Sequence, residues 1–195
     1  MTKDLEIFSE LFTACKTIML PKERSNCYAV YSKEEYDSAD PKLNVDGHLY
    51  KHRLYLYKNL ENSNHKTLSI ITLQPNWDNH IEHKSIANLE KLAETDYGAI
   101  EVYSLFTLRT VDPIDALLQD SILDITRIEF GKNDILLDLN TDITRTSKHQ
   151  NLTDDELLKI NTVKQIKTQY LLDFLSERKN NVYELKNNQL VKKVF

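Results

Sequence analysis

Three glycines, four prolines and two cysteines are all that this 195-residue chain has of these types. Each scarcity excludes something. Gly47, Gly98 and Gly131 lie far apart, so neither a phosphate-cradling loop nor a dinucleotide fingerprint can be assembled from them. Cys15 and Cys27 are too few for a disulfide framework or a thiolate metal site, and read as buried free thiols of a reducing compartment. No apolar run approaches the roughly 20 residues that span a bilayer. The first residues, Met1-Thr2-Lys3-Asp4-Leu5-Glu6, lack the apolar core of a secretory signal. These features together predict a cytoplasmic protein with no membrane partner. Basic excess is missing too: the net charge is −5 and the pI about 5.7, which argues against strong non-specific DNA binding while leaving room for a local basic patch.

What is present is ordinary globular composition, 41% hydrophobic and 28% charged, enough for one core. Residues 3 to about 19 carry Leu5, Phe8, Leu11, Phe12, Cys15, Ile18 and Met19 at helical spacing, with Pro21 as the stop. Cys27–Tyr31 is short and β-prone. Leu49–Tyr57 alternates leucine with aromatic and basic residues and reads as a strand with one dry face. Thr67–Leu73 and Ala99–Leu105 are continuous apolar runs, the pattern of strands buried on both faces of a parallel sheet. A helix at about 83–95, with Ile86, Leu89, Leu92 and Ala93 on one face, connects them. Asp112 caps a helix opened by Pro113, and Ile135–Leu139 suggests a third core strand. The polar stretch 141–151 reads as a loop. Thr153-Asp154-Asp155-Glu156 is a capping box for a long helix to about 178, with an apolar stripe from Leu157 to Leu175. Residues 182–195 read as a strand or hairpin turning at Lys186–Gln189. The predicted architecture is a single α/β domain over 1–195: a three-layer α/β/α sandwich with a mostly parallel central sheet of about four strands and helices on both faces.

Three stretches carry a resemblance. They are Arg53-Leu54-Tyr55-Leu56, Ile71-Thr72-Leu73-Gln74-Pro75-Asn76 and Ser104-Leu105-Phe106-Thr107-Leu108-Arg109-Thr110-Val111-Asp112-Pro113. They resemble, in order and spacing, the motifs of a bacterial family catalogued as domain of unknown function 1643: Arg-Tyr-x-Leu, then Met-Leu-Asn-Pro-Ser, then Asn-Leu-Phe-Ala-x-Arg-x-Thr-x-Pro. The resemblance is strongest over residues 50–120. That family's pattern is in turn distantly similar to uracil-DNA glycosylases, which implies a glycosylase-like fold with a site at the strand ends. This chain departs from the family at the site. Gln74, Asn76 and Ser104 stand where the family has Asn, Ser and Asn, and Leu190-Val191-Lys192-Lys193-Val194-Phe195 replaces a closing segment that contains a histidine. Glycosidic hydrolysis needs a carboxylate or amide to hold water and a donor for the leaving base, so the departures imply a divergent member with weakened excision.

The site expected on these grounds follows the first buried strand. Gln74, Pro75 and Asn76 would meet a base edge, Trp77 would stack on it, and Asp78 or Asn76 would hold the catalytic role; the alternative is a plain strand-to-helix connection with Asp78 or Asn79 as its cap. Ser104 and Arg109 complete the ligand-binding set, Arg109 as a guanidinium for a phosphate or carboxylate, or else as an ion-pair clamp on Asp112 or Asp115. His80 and His83, three apart, lack a third ligand, so no metal and no cofactor are expected. Lys51-His52-Arg53, interleaved with Tyr50, Tyr55 and Tyr57, reads as a basic aromatic strip for single strands or as an exposed strand face. Three functions stand open: a catalytically weakened protein that binds a nucleic acid or nucleotide, an active nucleobase- or nucleotide-processing hydrolase, and a protein-interaction module from a mobile element or phage. The oligomeric state is left open.

Overall fold

A computed structural model describes residues 17–22, 27–38, 41, 44, 47–60, 63–75, 84–110, 112–119, 124–139, 152–186 and 189–195. Eight strands form one sheet: β1 (Thr17–Lys22), β2 (Cys27–Ser32), β3 (Arg53–Asn59), β4 (Thr67–Thr72), β5 (Ala99–Ser104), β6 (Asp134–Asp138), β7 (Val182–Lys186) and β8 (Gln189–Lys192). Their order is β1-β2-β3-β5-β4-β6-β7-β8. Among the described residues the helices are α1 (Lys84–Ala93), α2 (Pro113–Leu118) and α3 (Asp154–Ser176), with a short 3-10 turn at Ile125–Arg127.

The apolar runs form the parallel centre, as expected. β4 pairs in parallel with β5, bringing Ile70 beside Val102, and on its other side with β6; β6 pairs in parallel with β7. The sheet is larger and more mixed than the sequence implied. β1, β2 and β3 extend it antiparallel on one flank, and β8 closes it antiparallel on the other. The helix expected to run to residue 19 is corrected: Thr17–Lys22 is a strand paired with β2. Ile18 and Met19 fit a helical period, but a partner strand satisfies their backbone groups instead. Residues 1–16 lie outside the described residues, as does 140–151.

Two cores sit on the two faces of the sheet, because successive side chains along a strand point to opposite sides. On one face, Leu68, Ile70, Ile100, Val102 and Leu136 pack with Leu89 and Ala93 of α1. On the other, Ile71, Tyr103, Ile135 and Leu137 pack with Ile114 and Leu117 of α2 and with Ile160, Leu171 and Leu175 of α3. α3 begins as its sequence predicts. Glu156 N donates to Thr153 Oγ1 while Thr153 N donates back to Glu156 Oε2. Its apolar stripe is not all buried: Leu158, Ile166 and Tyr170 are 67%, 62% and 57% exposed. The terminal hairpin β7–β8 forms as expected. No described helix is long and apolar enough to cross a membrane.

Candidate functional site

The parallel centre decides where polar side chains converge. Ligands of open α/β sheets bind beyond the carboxyl ends of parallel strands, and β5, β4 and β6 end there in register. Thr72 stands opposite Ser104 on one side and opposite Asp138 on the other. Register partners share a face, so Ser104, Thr72 and Asp138 form a polar row continuing the apolar rows of Val102–Ile70–Leu136 on the α1 side. Neighbours in such a row are about 5 Å apart. Thr72 Oγ1 lies 3.1 Å from Ser104 Oγ, 3.2 Å from Tyr103 O and 3.3 Å from Gln74 O. One threonine therefore ties the exit of β4, with Gln74, to the exit of β5, with Ser104. The backbone repeats the tie: Leu105 N donates to Thr72 O (2.9 Å) and Phe106 N to Leu73 O (2.8 Å).

Gln74 and Ser104, both expected at the site, are thus brought together. Gln74 is half-buried and its Oε1 has no hydrogen-bond partner. Pro75 is buried beside it. Asn76, Trp77, Asp78, Asn79, His80 and His83 lie outside the described residues. Asp138 is the residue that sequence reasoning missed. It is half-buried, and burial alone raises its carboxyl above the usual carboxylate range. The signal was legible only in hindsight: an aspartate closing the apolar run Ile135–Leu137, at the end of a strand that pairs parallel with β4.

Arg109 does not join this row. After the exit of β5 the chain leaves β4 and runs antiparallel beside the entry of β3: Arg53 N donates to Thr107 O (3.0 Å) and Arg109 N to Lys51 O (2.7 Å). That carries the Arg109 side chain inward to 0% exposure. Its Nη1 donates to Tyr50 O at 2.8 Å, its Cζ lies 5.1 Å over the Tyr31 ring, and burial pulls its pKa down to about 10. The expectation of an open guanidinium at the strand ends is corrected: Arg109 is packed inside. Asp112 and Asp115 are engaged nearby, Asp112 accepting from Ile114 N as the cap of α2 (2.9 Å) and Asp115 from Thr110 Oγ1 (3.4 Å).

The basic aromatic strip is likewise folded away. Tyr50, His52, Arg53 and Tyr55 are all buried, so neither an exposed strand face nor a single-strand platform survives there. Tyr31 stacks on Tyr50 with ring centroids 5.5 Å apart. His52 Nδ1 shares a 3.0 Å hydrogen bond with Thr107 Oγ1. Burial lowers the pKa of Arg53, opposed by the Tyr31 hydroxyl to which it is hydrogen-bonded. Burial also holds the His52 imidazole below its usual value. Lys51 and Tyr57 are half-buried, Lys51 with its Nζ 2.6 Å from Glu34 Oε1.

Among the described residues, no group of three or more His, Cys, Asp or Glu is placed to hold a metal ion. Comparison of the chain with protein-family models, with curated proteins and with solved structures gives no match.

Proposed function

We propose that the chain is a divergent protein of uracil-DNA-glycosylase-like, three-layer α/β/α architecture that binds a nucleic acid or nucleotide where β5, β4 and β6 end, with little or no excision of bases. The observation that carries this reading is the register-aligned row Ser104–Thr72–Asp138, with Gln74 on the exit of β4. The next row inward on the α1 face, Val102–Ile70–Leu136, is apolar and packed, as are Ile100 and Leu68 beyond it, while Asp134 at the far end accepts from the Tyr97 hydroxyl. Hydrogen-bonding groups gathered at the one edge where parallel strands end suit recognition of a polar ligand.

Weak catalysis follows from the chemistry of the row. Hydrolysis of a glycosidic bond needs a group that holds water and a donor that stabilises the departing base. Asp138 or Gln74 suits the first task. None of Gln74, Thr72, Ser104 and Asp138 carries an imidazole or a cation for the second. Lys193, in the segment that replaces the family's histidine, is hydrogen-bonded to Glu184.

Anisotropy titration of a labelled single-stranded oligonucleotide tests the reading. Binding that Thr72→Val weakens at least several-fold, with cleavage of uracil-containing strands far slower than by an authentic glycosylase, is the expected result. No binding of any oligonucleotide or mononucleotide would remove the reading, and rapid uracil excision would replace it with the active hydrolase. A second reading, a protein-interaction module, draws on the exposed Leu158, Ile166 and Tyr170 of α3.

A further inference from the structure

α3 carries apolar side chains on two sides. Its inner side packs Ile160, Leu171 and Leu175 into the core. Its outer side leaves Ile166 and Tyr170 more than half exposed, one turn apart, with Val163 half-buried a turn before them. A helix that is apolar on more than one side is normally covered on more than one. From Lys159 the outer side runs through Val163, Ile166, Tyr170 and Asp173 to Glu177, in steps of four and three residues by turns. That alternation is the seam spacing of paired helices, which keeps one line of side chains facing a partner. Charge is divided along the same helix. Asp154, Asp155 and Glu156 fill its first turn, and Arg178 and Lys179 follow its last. On the seam the cation, Lys159, comes first and the anion, Glu177, comes last at the cap. Both are exposed, and among the described residues neither enters an ion pair.

We infer that α3 pairs with α3 of a second copy of this chain, antiparallel, about a twofold axis beside Thr168. In that register Ile166 packs on Tyr170 of the second copy, Lys159 stands opposite Glu177, and Val163 stands opposite Asp173. Each contact occurs twice, because a twofold interface is self-complementary. The three pairs have one common centre in the sequence, so a single axis satisfies them all. The antiparallel arrangement also sets the acidic first turn of one helix beside Arg178 and Lys179 of the other, and it opposes the two helix dipoles. A parallel pair would put Lys159 against Lys159 and Glu177 against Glu177. Asp173, which accepts from Gln169 Nε2 at 2.7 Å, makes the Val163 layer a mixed one. One helix face is also smaller than the ~800 Å² per partner of a standard interface, so the dimer is weak and depends on concentration. α3 lies on the face of the sheet opposite the row of Ser104, Thr72 and Asp138, so pairing leaves the strand ends open. The inference stands apart from the nucleotide-binding reading, and it gives the protein-interaction reading a partner, the chain itself.

Sedimentation velocity at low salt, over about a hundredfold range of concentration, tests the pairing, because mass action fills a weak dimer only at the upper end. The weight-average mass of the wild-type chain should rise towards that of two chains. Ile166→Glu should hold it at one. Lys159→Glu and Glu177→Lys each set like charges together at both ends of the pair. Each should weaken the dimer about tenfold, two exposed ion pairs being lost at once. The double variant, with the two charges exchanged, should restore it. All three positions are exposed, so each variant should melt as wild type does, and circular dichroism melts check that a lost dimer is not a lost fold. A wild-type chain that stays single at every concentration would overturn the inference. So would a dimer indifferent to Ile166→Glu. A double variant no tighter than the two single ones would also overturn it, because Lys159 and Glu177 would then not face each other. None of these outcomes depends on whether a nucleotide binds.

Discussion

Two polar regions flank the exit of β5, and they treat their polar groups in opposite ways. In the cluster of Tyr31, Tyr50, His52, Arg53 and Arg109, charged and polar side chains are drawn into the fold and hydrogen-bonded there. In the row of Ser104, Thr72 and Asp138 with Gln74, two hydroxyls, an amide and a carboxyl stand at the strand ends, and Gln74 Oε1 is enclosed without a hydrogen-bond partner. The cluster has the stronger charges, and the row stands where parallel strands end. A guanidinium buried at 0% exposure with its donor on a backbone carbonyl is part of the framework. The half-buried Asp138 carboxyl is raised by burial alone, and under the proposed function it is the group left for a ligand. Site residues are thus told apart by what their partners are, and charge alone misleads.

The contrast breaks or holds most visibly at Arg109. Arg109→Ala removes a fully buried side chain and leaves Tyr50 O without that donor, so it should cost about 3 kcal/mol or more, a fall in melting temperature of roughly 6–12 °C for a chain of this size. Nucleotide binding by the remaining folded protein should not change. Unaltered melting with lost binding would exchange the roles of the two regions. His52 gives a smaller effect, read against pH. Burial lowers its pKa, so the imidazole is neutral in the folded chain and protonates more readily when unfolded. Its contribution is complete above the ordinary imidazole value of about 6.5 and is lost as pH falls through it. Denaturant melts from pH 7.5 to 5 should show a loss of stability that His52→Gln flattens. In the row, Thr72→Val removes the hydroxyl shared by Ser104 and Gln74. It should cost about 1 kcal/mol of stability, the net contribution of one hydrogen bond, and should weaken oligonucleotide binding by much more than that stability change implies.

How far the sequence foretold this follows the range of the interactions involved. β4, β5 and β6 announced themselves because a strand buried on both faces needs a continuous apolar run, and Asp112 and Thr153 announced their helices because a cap is a local hydrogen bond. Gln74 and Ser104 were found through a motif at fixed spacing, and the register of β4 with β5 brings them together. On the antiparallel flank, Cys27–Tyr31 and Leu49–Tyr57 read locally as strands, but neither their pairing nor the extended Thr17–Lys22 does so. Whether Thr17–Lys22 coils or extends is settled by β2, its partner, and whether Arg53 faces water or core is settled by Thr107 and Tyr31. Arg109 was misjudged for the same reason: its burial comes from pairing with Lys51, 58 positions earlier by their numbers. Asp138 went unnoticed because its significance lies in standing across from Thr72, a fact of register that one strand's sequence does not contain.

The smallest expected effect is the most discriminating, because its sign is opposite to that of ordinary core substitutions. Burial raises the Asp138 carboxyl in the folded chain. The folded state therefore holds its proton to a higher pH than the unfolded state does. Between the two values the folded chain binds more protons, so the stability contributed by this group falls as pH rises through that window and stays low above it. Below the ordinary carboxylate value both states are protonated and the difference disappears. Asp138→Asn removes the ionisation while preserving the shape. At pH 7 it should raise stability slightly, and near pH 3 it should match wild type. A structural aspartate, held by donors that favour its charged form, would behave in the reverse sense, with the asparagine variant weaker at pH 7 and converging with wild type in acid. Paired denaturant melts at the two pH values distinguish these outcomes through the sign of one difference. Placed beside Arg109→Ala, that sign states the contrast between the regions directly: removing one buried side chain costs stability, and removing the other's charge relieves it.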